Sequence, residues 1–160
     1  MLVLGKAGSA GTEKGVQPVL RDGSVVATIR TSNWKDAATA TIGAQPWVLT
    51  KNKRSLSARW VTEPEDAVRL CATQTSMWKD TWEVDLEGRP VEVQTASRWK
   101  GTHRYLIDGR TVAESGTTGG WSPRPTLTAE PDLPLHHQVF LLWLELILGR
   151  RDSAAAAAGA

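Results

Sequence analysis

A chain of 160 residues fits one domain and is long enough to bury a core without disulfides or metal; its single cysteine, Cys71, excludes an intramolecular bridge. Nineteen basic and 17 acidic side chains are interleaved to a formal net charge of +2, which excludes a nucleic-acid polycation. Eight tryptophans stand against one Phe and one Tyr, and their spread along the whole chain reads as core and rim duty rather than a stacking platform.

Residues 1–15 are rich in Gly, Ala, Ser and Lys without apolar period and read as a flexible lead-in. Met1-Leu2-Val3-Leu4 is too short for the apolar core of a signal peptide, and Gly5 and Lys6 follow at once, so a cytoplasmic protein is expected. Gly5-Lys6-Ala7-Gly8-Ser9-Ala10-Gly11-Thr12 lacks the spacing and the strand-to-helix context of a phosphate loop.

Residues 16–131 read as strands. Period-two alternation is clear in Thr81-Trp82-Glu83-Val84-Asp85-Leu86, where Trp82, Val84 and Leu86 share a face. It recurs in Pro90 to Thr95 and in Leu56 to Trp60. Asp22-Gly23, Glu87-Gly88 and Asp108-Gly109 separate such runs, and these dipeptides tolerate the positive φ of a type I′ hairpin turn. Cys71, inside Ala67-Val68-Arg69-Leu70-Cys71, reads as a small buried side chain.

An internal repeat runs through this body. Ser32-Asn33-Trp34-Lys35-Asp36, Ser76-Met77-Trp78-Lys79-Asp80 and Ser97-Arg98-Trp99-Lys100-Gly101 share Ser-x-Trp-Lys-[Asp/Gly]. From Trp78 the tryptophans fall at 99, 121 and 143, a step that matches two short strands with their turns, so the repeated unit reads as a hairpin. Trp143 lies in a helical segment and fits the series by accident.

Residues 133–148 form that segment, with Asp132 as N-cap, Pro134 in the first turn, Gly149 as stop, and Arg150 and Arg151 at the negative end of the dipole. From Val139 to Leu148 only Glu145 is polar, so the helix is apolar all round. A bilayer span needs about 20 apolar residues, so the shorter run here marks a core helix. A flat sheet covers one side of a helix; a closed sheet covers all of it. The body supplies roughly a dozen strands at about ten residues per strand and turn, and a barrel of that size can enclose a helix. The expected fold is therefore mainly β: a closed antiparallel barrel of about 12 strands around its own C-terminal helix. The expected limits are a single domain over 16–151 and a disordered alanine-rich tail over 152–160.

The hairpin meander ending in an apolar helix, with Arg150-Arg151-Asp152 and Ala154 to Ala158 behind it, resembles the tubby C-terminal, LURP-one-related and phospholipid-scramblase-like superfamily, in particular its small actinobacterial members. The resemblance covers residues 16–152 and is one of layout; no lipid-contacting residue of the family carries over to a position here. It implies a twelve-stranded barrel around a central helix and, for some members, phosphoinositide binding at a basic surface or lipid scrambling.

The residues themselves offer few chemical motifs. Adjacent His136 and His137 should point to different helix faces and so cannot chelate together; His103 is alone, and no second cysteine is present. No metal, cofactor or catalytic residue is expected. Glu145 is the polar residue of interest, because a carboxylate in an apolar helix has to be paired, protonated or water-exposed at an end; the expectation is pairing with an inward Arg or a Trp N–H, the alternative a polar site inside the barrel. Two basic clusters remain: Lys51, Lys53 and Arg54 with Arg59, and Arg98, Lys100 and Arg104 with His103 around Trp99. Such runs are usually solvated turns; beside an aromatic they can also hold a phosphate headgroup.

The expected function is a non-enzymatic cytoplasmic barrel, peripheral to the inner membrane face, that binds either an anionic phospholipid headgroup or a protein partner, with no nucleic acid and no transmembrane span. The alternatives are a tail-anchored membrane protein inserted through 133–148 and an enzyme with its site in the barrel mouth.

Overall fold

Each dipeptide singled out as a turn closes a hairpin. Asp22-Gly23 (φ +51° and +79°), Glu87-Gly88 (+55° and +90°) and Asp108-Gly109 (+51° and +77°) take the paired positive φ of type I′ turns. The computed structural model describes residues 1–31, 37–76, 78–79 and 81–158. The first copy of the repeat, Ser32 to Asp36, lies outside the described residues, as do Met77 and Asp80.

Twelve strands precede one helix: β1 (Leu2–Leu4), β2 (Val16–Arg21), β3 (Ser24–Thr31), β4 (Ala37–Ile42), β5 (Gln45–Lys51), β6 (Ser55–Trp60), β7 (Leu70–Ser76), β8 (Thr81–Leu86), β9 (Arg89–Ser97), β10 (Thr102–Ile107), β11 (Arg110–Thr117), β12 (Pro125–Ala129) and α1 (Leu135–Ala158). Each strand pairs antiparallel with its neighbours in sequence, and β1 pairs with β12 to close the barrel. The expected fold class is observed. Closure leaves no free sheet edge, so the barrel presents no template for strand addition.

Residues 1–15 are more than a lead-in. Leu2 and Leu4 are fully buried, and Leu2 sits opposite Leu127 on one side and Arg21 on the other. Without β1 the sheet would gape between β2 and β12; three residues are too few to show a period in the sequence. Cys71 differs from expectation too: Leu70 and Ala72 point inward, so period two turns Cys71 to the outer face opposite Asp85, where it is half-buried.

The core follows the alternation. Trp82, Val84 and Leu86 are buried together, as are Leu56 and Ala58, with Trp47 beside them in the same cluster. Within the barrel, every residue of α1 from His137 to Leu148 except Leu146 is buried. Eight of these are large apolar side chains, worth about 12–24 kcal/mol as an upper bound at about 1.5–3 each.

The helix starts at Leu135, two residues later than the sequence signals suggest, and runs to Ala158 through both Gly149 and the expected disordered tail. Gly149 does not adopt positive φ and so makes no left-handed cap. Glycine costs a helix about 1 kcal/mol relative to alanine, and the run Ala154 to Ala158, of the best helix former, carries the helix past it without adding to the buried core.

Candidate functional site at the tryptophan end of the barrel

A closed antiparallel meander sends its connections alternately to two ends. The connections 5–15, 52–54, 77–80, 98–101 and 118–124 fall at one end. The helix leaves by this end, where Arg151 Nη2 donates to the Asn52 carbonyl at 3.3 Å. The connections 22–23, 43–44, 61–69, 87–88, 108–109 and the helix approach 130–134 fall at the other.

The repeated unit is one hairpin, and the Ser-x-Trp-Lys motif marks its tip. Ser76 Oγ accepts the Lys79 amide at 3.2 Å, and Ser97 Oγ accepts the Lys100 amide at 3.2 Å. The serine thus closes the turn and the tryptophan between is thrown outward. Trp78 is 100 % exposed, Trp99 96 % and Trp121, on the next tip of the same end, 106 %. Their spacing of 21 and 22 residues is the distance along the chain between successive tips at one end. Trp47, Trp82 and Trp143 are buried and Trp60 packs against the core, so structural duty accounts for these four and not for the three at the tips.

Charge separates in the same sense. Among the described residues, the tip connections and the helix exit 149–152 at this end carry ten basic and two acidic side chains. The opposite connections carry one basic and eight acidic, partly offset by Arg21, Arg89 and Arg110 at the adjoining strand ends.

Of the seven candidate headgroup residues, five gather at the tryptophan end. Lys51, Lys53 and Arg54 lie at the β5–β6 tip and Arg98 and Lys100 at the β9–β10 tip. Arg59 lies at the opposite end of β6, where its guanidinium donates to the carbonyls of Trp60 at 3.4 Å and Glu63 at 2.9 Å. Arg104 is on the barrel wall, paired with Glu114 at 3.1 Å. Neighbours in sequence are separated because a strand carries them the height of the barrel or turns alternate residues to other faces.

Two clefts open at the tryptophan end. One, about 710 Å³, is lined by Arg98, Trp99, Lys100, Arg150 and Asp152 and reaches inward to Glu145. The other, about 640 Å³, lies between Trp78, Lys79 and Asp152 and reaches His103. A groove of about 550 Å³ runs from the connection 5–15 down the wall of β2 to β4, beside Thr12, Glu13 and Arg30; it holds the Arg30–Glu13 ion pair at 2.8 Å and lacks the tryptophans.

Beneath the clefts, Glu145 is paired, though with neither an Arg nor a Trp. The buried Tyr105 hydroxyl donates to its Oε1, and His103 Nδ1 lies 2.9 Å from Oε1 and 3.1 Å from Oε2. Trp143 Nε1 has no hydrogen-bond partner among the described residues. His103 and Tyr105 are two apart on β10 and so share its inner face. Burial, then the adjacent Glu145 charge, push the Tyr105 hydroxyl well above its ordinary pKa.

A second cluster sits at the acidic end and corrects the expectation for the histidine pair. The rings of His136 and His137 lie 4.4 Å apart, and the Nε2 atoms of both meet Glu87 Oε1, that of His137 at 2.8 Å. Adjacent helical residues project about 100° apart, but these two rings swing their tips together over the β8–β9 turn. Burial alone would raise the Glu87 carboxyl; the hydrogen bonds from both histidines outweigh it and hold the pKa down to about 2.

No protein-family model, curated protein or solved structure matches the chain. Fold and site define a class: a closed twelve-stranded barrel filled by its own C-terminal helix, with an aromatic and basic end opposite an acidic one. No helix among the described residues is long and apolar enough to cross a membrane.

Proposed function

We propose that the protein is a peripheral binding barrel that sets its tryptophan end on an anionic phospholipid surface, in the cytoplasm at the inner membrane face, without catalysing a reaction. The observation that carries this reading is the trio of fully exposed tryptophans on tips of one barrel end. Large exposed aromatics cost solubility and contribute nothing to this core, whereas tryptophan favours the bilayer interface, where its ring is covered and its N–H stays wet. Lys79, Arg98 and Lys100 flank them in sequence, and each basic side chain near an anionic surface contributes about 1 kcal/mol. The cleft bounded by Arg98, Lys100 and Arg150 has room for a phosphate headgroup beside Trp99. The resemblance to tubby-like barrels, some of which bind phosphoinositides, agrees in kind.

Vesicle flotation tests it. The protein should float with phosphatidylcholine vesicles containing phosphatidylserine or a phosphoinositide at low salt, with a blue shift in tryptophan emission. Substituting Trp78, Trp99 and Trp121 together by Ala should abolish both while leaving the melting temperature unchanged. Absence of flotation on every composition would overturn the reading and leave a protein partner as the occupant of this end.

A further inference from the structure

The cluster at the acidic end is independent of the membrane reading, and we infer that it is a binding site for one divalent transition-metal ion of the zinc class, with Glu87, His136 and His137 as ligands. Three ligand atoms, His136 Nε2, His137 Nε2 and a Glu87 carboxylate oxygen, lie within 4.8 Å of one another. Two imidazoles and one carboxylate, without a thiolate, suit zinc and its first-row neighbours, whereas calcium and magnesium take oxygen ligands throughout. Explained by hydrogen bonding alone, the arrangement requires both rings to carry their proton on Nε2 and both to aim at one oxygen. A single dication serves the same three atoms at once. Ligand bonds of about 2.0–2.2 Å need the His–Glu contacts to open slightly, and Glu87 is on a turn with its side chain partly exposed.

The surroundings hold these atoms in place. Arg69 binds the other carboxylate oxygen, Oε2, at 3.1 Å and is itself held by Glu63 at 2.7 Å, which fixes Oε1 toward the rings. The Arg69 guanidinium lies 3.5 Å over the Trp60 ring, and His136 stacks on Trp47 with centroids 5.4 Å apart. Such oriented supports behind the ligands are the usual companions of a metal site. His137 Nδ1 has no hydrogen-bond partner among the described residues, so the support behind the ligands comes through Glu87 and His136 and not through this ring.

The turn residue points the same way. At the first positive-φ position of the two sister turns the chain uses Asp22 and Asp108, the short side chains that this backbone tolerates. At the same place in the β8–β9 turn it uses Glu87, with φ +55° and a longer reach over the helix start. Bound metal would bolt the entrance of α1 to the barrel rim.

The test is calorimetric titration of the untagged full-length protein, stripped with chelator, with zinc chloride. One ion per chain is expected, with a rise in melting temperature, and cobalt(II) should give a visible ligand-field band. Excess magnesium or calcium should not compete. Glu87→Gln, which keeps a hydrogen-bond acceptor, should weaken binding at least about tenfold and remove the thermal increment; His136→Ala should do the same. Glu65→Gln, at the same acidic end but outside the cluster, should bind as the unmodified chain does. No saturable zinc binding, or equal binding by Glu87→Gln, would overturn the assignment; should His136→Ala fail to fold, Glu87→Gln still decides it.

Discussion

Replacing Glu145 by leucine separates a carboxylate that satisfies the barrel interior from one that is dispensable. In the fold it accepts the Tyr105 hydroxyl and lies 2.9 Å from His103 Nδ1. Leucine adds apolar burial but leaves the fully buried Tyr105 O–H without its acceptor, at a cost of about 1–3 kcal/mol. His103 lines a cleft and can turn to water, so it adds less. The expected net loss is about 1–3 kcal/mol, which in a chain of this size lowers the melting temperature by roughly 2–4 °C per kcal/mol.

The sign of a second substitution is the sharper measurement. Tyr105→Phe in the unmodified chain removes the donor from a buried carboxylate and should destabilise by about 1 kcal/mol or more. In the Glu145→Leu background it removes the orphaned hydroxyl instead and should restore about 1–3 kcal/mol. Urea unfolding of the four proteins, followed by far-ultraviolet circular dichroism, gives the cycle. Additive effects, or a Glu145→Leu variant more stable than the parent, would refute the claim that the network is satisfied only as a unit.

Tyr105 is the only tyrosine, so its titration can be read directly by ultraviolet absorbance. Its folded pKa is raised, so the unfolded chain releases the proton first; stability is intact below about pH 10 and falls above it by up to about 1.4 kcal/mol per pH unit. Tyrosinate absorbance should therefore appear only with unfolding, and a normal titration of the folded protein would contradict the burial. Gly109→Ala should cost about 1 kcal/mol in denaturant titration, because φ is +77° while nothing lies within 4 Å of the added methyl. Deleting residues 154–160 should leave the melting temperature unchanged, since the described alanines of that segment are exposed beyond the barrel.

The parts of the fold visible in the sequence were those with strong local chemistry. Asp22-Gly23, Glu87-Gly88 and Asp108-Gly109 permit little but a tight turn, and a helix with no polar face permits little but enclosure. β1 is too short for a period to emerge, and Gly149 is no stop when alanines follow it. The candidate site was half legible. Lys53, Arg54, Arg98 and Lys100 were found as clusters, but their tip positions depend on strand parity, as does the exclusion of Arg59 and Arg104. The Ser-x-Trp-Lys repeat already held the answer: a serine that closes a turn leaves the following tryptophan no core to enter. The partners of Glu145 were also within reach, since period two alone puts His103 on the same face as Tyr105 and Ile107. Convergence of His136 and His137 was not, because it depends on side-chain rotation and on Glu87, some fifty residues distant.

Net charge is the quantity that misleads most. A value of +2 with signs interleaved along the chain argues against a nucleic-acid polycation and gives no sign of a basic face. The meander, however, sends alternate connections to opposite ends, so interleaving in sequence becomes separation in space. Strands of about six residues make the barrel about 20 Å tall, while the Debye length at physiological salt is about 8 Å. A surface at the tryptophan end therefore meets the ten basic and two acidic described side chains there, largely screened from the acidic end. On the proposed reading, association should weaken with salt as for a strongly basic protein. It should also be directional, because the opposite end is repelled by the surface that attracts this one.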